Sequence, residues 1–127
     1  MNYCSFSGKL VRDPEVKYAA TQKAVTRFAI GVKRNFKNKE GKYETDFFEC
    51  VAFDKRGEMI GNSFGKGSPI IVWGAMRQEK WQDKDGNNRS AIRLYVDGFD
   101  FVEGARERAA AKDFTSSLGD LGEEIDF

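Results

Sequence analysis

The sequence predicts an all-β fold: a five-stranded Greek-key barrel, one short helix between its third and fourth strands, and a disordered acidic C-terminal tail. Three observations carry this. Apolar and polar residues alternate with the period of two that places successive side chains on opposite faces of a sheet. Only one segment, in the middle of the chain, pairs apolar residues at the i, i+4 spacing of a helix between turn signals. From residue 103 onward the alternation is lost and acids come to outnumber bases.

The first strand covers residues 3–10, with Cys4, Phe6, Gly8 and Leu10 on one face and Tyr3, Ser5, Ser7 and Lys9 on the other. Pro14 stops regular pairing, because proline lacks a ladder donor and restricts the residue before it. Residues 15–18 make a short extended return and 19–23 a turn. The second strand, 25–34, turns Phe28, Ile30 and Val32 inward and Arg27, Ala29, Gly31 and Lys33 outward. In the polar loop 35–45, Lys37, Lys39 and Lys42 flank Phe36 and Tyr43. It reads either as a solvated hairpin tip or as a basic finger that closes over a polyanion.

The third strand, 46–53, is apolar on both faces: Phe48, Cys50 and Ala52 form one set, and Phe47, Glu49, Val51 and Phe53 the other. The second set is either buried or a stacking platform. Asp54 is placed to cap a helix over 55–64, with Ile60 and Phe64 on its inner stripe. Gly57 and Gly61 each weaken that helix by roughly 1 kcal/mol relative to alanine. Residues 65–69 end it. A long hairpin follows over 70–96, its limbs joined around the Asp85-Gly86 turn pair, and 97–102 continue the last strand. The open face of this hairpin carries Trp73, Arg77 and Trp81. Aromatics and cations interleaved on one sheet face suit base stacking and phosphate contact.

A chain of 127 residues is sized for one domain, and its 11 Phe favour a real β-rich core. Cys4 and Cys50 lie far apart on alternating strands, which favours buried free thiols over a disulfide or a metal site. There is no histidine, so Ser-His, Cys-His and His-metal catalysis are unavailable and a non-enzymatic protein is expected. Asp83 and Asp85 are explained by their turn; no metal and no cofactor are expected. No apolar signal core or membrane-length run is present, so a cytoplasmic protein is expected. The formal charge of +1 conceals an asymmetry. Residues 1–104 hold 18 Lys and Arg against 14 Asp and Glu; residues 105–127 hold 3 against 6. A basic body and an acidic arm have separate roles.

Strand, strand, strand, helix, strand, strand is the order of an OB-type barrel. Such barrels bind oligonucleotides on the face of their second and third strands, aided by the loops joining strands 1 to 2 and 4 to 5. That map brings Phe47, Val51 and Phe53, the lysine-rich loop and the long hairpin to one groove.

Several stretches then carry a resemblance: GKLVRDPEVKY at 8–18, Val25 with FAIGV at 28–32, FFECVAFDK at 47–55, KGS at 66–68, WGAMR at 73–77, and KWQD at 80–83 with the Asp85-Gly86 turn and Arg89. Over residues 3–103, and again at its last few residues, the chain resembles the bacterial-type single-stranded DNA-binding proteins, a family with phage-encoded members. The resemblance implies an OB domain over 1–104, a flexible linker over 105–119 and an acidic interaction tip over 120–127. It implies base-stacking by Phe36, Phe47, Phe53 and Trp81. Cationic contacts to the strand fall on Lys9, Lys55, Lys66, Arg77 and Lys80, joined by Lys33, Arg34 and Lys37 beside the lysine-rich loop. It also implies a homo-oligomer, most often a tetramer, with Tyr3, Ser5, Ile71 and Trp73 as interface candidates.

The chain departs from the family at Phe36 and Phe47, where well-studied members carry Trp. It departs again at Glu49 and Glu79, where some carry Arg. In the tip, Glu123, Glu124, Ile125, Asp126 and Phe127, an acid stands where proline is usual. A terminal Phe among acids suits an apolar pocket rimmed by cations on a replication, recombination or repair partner; the blander reading is a solubilising tail. An RNA-binding or primosome-type OB module, or an adaptor acting through the tail alone, would fit the same residues.

Overall fold

The computed structural model describes residues 1–102. The linker placed at 105–119 and the tip residues Glu123, Glu124, Ile125, Asp126 and Phe127 lie outside the described residues. Alternation along each strand sets the pairing of β1 Cys4–Leu10, β2 Glu15–Tyr18, β3 Ala24–Lys37, β4 Tyr43–Phe53, β5 Pro69–Gln82 and β6 Asn88–Phe101, with α1 Asp54–Ser63 between β4 and β5. Neighbours run β1-β5-β6-β4-β3, and β3 returns to β1 at Lys9↔Gly31 and Leu10↔Ile30, closing a ring of five strands. All pairings in the ring are antiparallel except β4 with β6, which is parallel and registers only Cys50↔Leu94 and Val51↔Tyr95. This is the OB-type Greek-key barrel that the element order predicts. The short return β2 pairs only with β3, outside the ring.

The inward faces meet as expected. Leu10, Phe28, Ile30, Cys50, Ile70, Val72, Leu94 and Val96 fill the barrel, and Ile60 and Phe64 bring the helix into the same core. Phe6 stacks on Phe48 with centroids 4.5 Å apart, and Phe64 stacks on Phe101 at 4.9 Å. Offset aromatic pairs of this kind add to plain area burial.

Four local expectations need correction. The loop expected over 35–45 is shorter, because β3 and β4 extend as a two-stranded arm and leave only 38–42 outside the strands. The Asn38 carboxamide oxygen organises that turn by accepting the N–H groups of Glu40 and Lys42. Asp54 does not cap the helix: Phe53 occupies the capping position without a side-chain bond, and Asp54 takes a left-handed φ of 58°. Ala29, expected to face outward, is only 2% exposed, and Val51, whose set was open between burial and a stacking platform, is buried to the same extent. Finally, Gly57 is more than a weak helix former. A Cβ there would sit 2.7 Å from both the Ala52 carbonyl oxygen and Thr26 Oγ1, so the helix can reach the sheet only over a glycine.

Candidate nucleic-acid interface

The strand register builds one connected outer surface. Across β1, β3 and β4, Lys9, Gly31 and Phe47 align in a row, because Lys9 pairs with Gly31 and Gly31 with Phe47. Gly31 leaves the Phe47 ring standing beside it, and Phe47 is 67% exposed. Two residues along β4, Glu49 is held by Arg12 at 3.0 Å. Val51 is buried next to Tyr95 of β6, and Phe53 is exposed again. The Phe53 ring meets Tyr95 with centroids 5.7 Å apart.

From Tyr95 the surface continues along the β5–β6 arm. Register places Ala75 opposite Tyr95, Arg77 opposite Arg93 and Trp81 opposite Arg89, with Glu79 between. The Arg77 guanidinium lies 4.8 Å from the Tyr95 ring centroid, and that of Arg93 lies 5.9 Å from Trp81. Glu79 ties the two halves together, accepting the Tyr95 hydroxyl at 2.6 Å and pairing with Arg93. That hydrogen bond, with the Arg93 and Arg27 charges, holds the Glu79 carboxyl below its ordinary value; the same bond pushes the Tyr95 phenol up. Contacts thus run from Phe53 to Tyr95, Glu79, Arg93 and Trp81, with Arg77 joined at Tyr95.

At the arm's tip, Asp83 accepts the Asp85 and Asn87 N–H groups and pairs with Arg89 at 2.9 Å. Those bonds, the Asn87 amide first, hold its carboxyl below the usual range and fix the turn. Lys80 points to the face opposite Trp81, because side chains alternate. Both residues nevertheless border one open recess at the arm's edge, together with Gln82 and Arg89.

The β3–β4 arm carries Phe36, 60% exposed, and Tyr43, over whose ring Lys33 and Lys37 sit at 4.8 and 5.9 Å. Arg34 is differently placed from the other expected phosphate contacts. Its guanidinium is clasped by Asp46 through two bonds of 2.9 Å and by Glu44 at 2.7 Å, so its charge is already answered within the arm. Lys55 and Lys66 are exposed near the helix start and in the loop before β5. The Lys66 backbone N–H is bound by Asp13 at 2.7 Å, which anchors that loop to the end of β1.

Of the interface candidates, Tyr3 is 64% exposed and Ser5 pairs with Trp73 across β1 and β5. Ile71 and Trp73 are half-buried rather than fully open. Trp73 has an intramolecular seat: a Cβ on Gly98 would fall 2.3 Å from its ring. Sequence reasoning did not single out Tyr95 or Arg93 for the site. Their alternation with Leu94 and Val96 was visible, but their neighbours come from β4 and β5.

Among the described residues no cluster of three or more His, Cys, Asp or Glu is placed to hold a metal ion. No described helix is long and apolar enough to cross a membrane.

Comparison with known proteins adds the last observation. The profile of the single-strand binding protein family matches residues 1–102. A protein of Clostridium perfringens named single-stranded DNA-binding protein is 36% identical over 123 residues, covering 96% of this chain and 79% of that one. Single-stranded DNA-binding protein 1 of Streptococcus pyogenes is 30% identical over 119 residues, covering 94% and 92%. A Fusobacterium nucleatum protein of the same name is 34% identical over 121 residues, covering 94% and 77%. With a closed five-stranded barrel, an aromatic outer face and a family match across every described residue, the chain belongs to the single-strand binding protein family.

Proposed function

We propose that this protein binds single-stranded DNA with little regard for sequence, protects it, and serves replication, recombination and repair without catalysis. The observation that carries the reading is the outer surface from Phe47 through Phe53 and Tyr95 to Trp81. The exposed rings of Phe47, Phe53 and Trp81 stand on it, and the guanidinium groups of Arg77 and Arg93 lie over Tyr95 and Trp81. Each stacked base contributes about 1–3 kcal/mol, and every base has a π-face, so such a surface tolerates sequence. Phe36, Phe47, Phe53 and Trp81 are the proposed stacking rings. Lys9, Lys33, Lys37, Lys55, Lys66, Arg77 and Lys80 are the proposed phosphate contacts, with Arg34 left to its carboxylate partners. Self-association into a tetramer through the outer side of β1 and β5, and partner recruitment through residues 123–127, complete the proposal.

The test is a titration with oligo(dT) read by tryptophan fluorescence across a salt series. Quenching should come from Trp81 and persist in Trp73→Phe, because Trp73 is seated on Gly98. Trp81→Ala should lose about 1–3 kcal/mol of binding. Absence of quenching, or affinity indifferent to salt, would overturn the stacking mechanism. A mass measurement of the free protein tests the tetramer.

A further inference from the structure

Glu79 is an anomaly on a surface built to hold phosphates. It is an acid in the middle of that surface, and both its oxygens are engaged: Oε1 by the Tyr95 hydroxyl at 2.6 Å, Oε2 by Arg93. Arg93, in turn, leans over the exposed Trp81 ring. The Arg93 guanidinium thus lies 5.9 Å from the centroid of a ring on which a base could stack, with the Glu79 carboxylate already on it.

We propose that Glu79 is a tethered counter-anion: its carboxylate occupies the Arg93 position that a nucleic-acid phosphate takes, and the strand binds by displacing it. This rests on the single-stranded DNA reading above. It differs from ordinary phosphate recognition in one physical respect. A cation neutralised by mobile salt ions releases them when phosphate arrives, and that release makes binding salt-dependent. Arg93 is neutralised by a group that cannot diffuse away, so its contact releases no ion. Glu79 therefore lowers both the affinity and its salt dependence, while Tyr95 remains as a donor for the displaced or replaced acceptor. Among the described residues the Glu49–Arg12 pair shows neither feature: Arg12 lies over no ring, and Glu49 accepts from Arg12 alone.

The experiment compares oligo(dT) binding by the full-length protein and its Glu79→Gln variant over a salt series. Glutamine keeps the acceptor for Tyr95 and removes the charge. The variant is expected to bind several-fold more tightly at low salt. Its slope of log affinity against log salt should steepen by about 0.7, the contribution of one freed cation on a single strand. Adding Arg93→Gln should abolish both changes, and Glu58→Gln, the same charge change on the helix, should produce neither. In the unaltered protein, the Glu79 carboxyl-carbon NMR resonance should move when oligo(dT) saturates the surface. An unchanged slope in Glu79→Gln, an equal effect from Glu58→Gln, or a stationary Glu79 resonance in a saturated complex each overturns the counter-anion. If the unaltered protein fails to bind oligo(dT), it is the DNA reading that falls, and the counter-anion with it.

Discussion

Cys50 shows how far a single position follows from its strand. It is 1% exposed in the barrel, and burial, aided by the Glu49 charge, pushes its thiol up to about 12. The thiolate is the reactive form, so Cys50 stays inert through the neutral range and acts as a small hydrophobe. In a Cys4→Ser variant, a disulfide-exchange reagent at mildly alkaline pH should leave the native protein unlabelled and label it stoichiometrically in urea. Rapid native labelling would show that the barrel opens or that the thiol is not where the core places it. Alternation was enough to bury Cys50 and to present Phe47 and Phe53 for exposure or burial together. It could not show that Val51, between them on the same face, is covered. Its partner across the β4–β6 join is Tyr95, more than forty positions away in the chain. Nor could it show that Arg34 is clasped by Asp46 and Glu44. Those partners lie across the β3–β4 arm, at the edge of a stretch whose polar composition reads as loop.

At the scale of elements, the helix illustrates two opposed effects at one residue. Gly57→Ala should gain roughly 1 kcal/mol in helix propensity. It also drives a methyl group to 2.7 Å from a backbone carbonyl, which cannot swing aside as a side chain can. Overpacking of that kind costs about 1–3 kcal/mol. The clash wins, and urea unfolding should find the variant less stable despite its better helix former; a stabilised variant would mean that α1 can slide on the sheet. The end of the helix was legible from Ile60, Phe64 and the glycine-proline stretch after them. Its start was legible to within a residue but its cap was not, because Asp54 looks like a cap in sequence while its left-handed backbone commits that residue to the turn out of β4. The arms behaved similarly. Polar composition suggested a long loop at 35–45, but a two-stranded ribbon with both faces in solvent needs no apolar residues to pair. Asn38 closes its turn with two hydrogen bonds that composition does not announce.

For the whole molecule, element order and alternation together made the barrel legible, since few topologies place five short strands and one helix in this sequence. What they left hidden is the contact between β4 and β6, strands with no direct connection. The surface from Phe53 through Tyr95 to Trp81 is assembled there, which is why Tyr95 and Arg93 were not singled out. That junction has a dynamic consequence. Among the described strands it is the only parallel join in the ring and, like the β1–β3 closure, it is registered by two residue pairs, against thirteen between β5 and β6. Its outer side is bridged by the Phe53 and Tyr95 rings. The barrel should open more readily along this line than along the β5–β6 ladder, and a strand stacked across both rings would act as a splint. Hydrogen exchange of the amides at 50–52 and 94–96 should therefore slow on saturation with oligo(dT), more than that of the β5–β6 ladder. A uniform slowing would mean that the ligand stiffens the protein globally. A local one would make one of the barrel's two thinly paired seams the place where it senses its ligand.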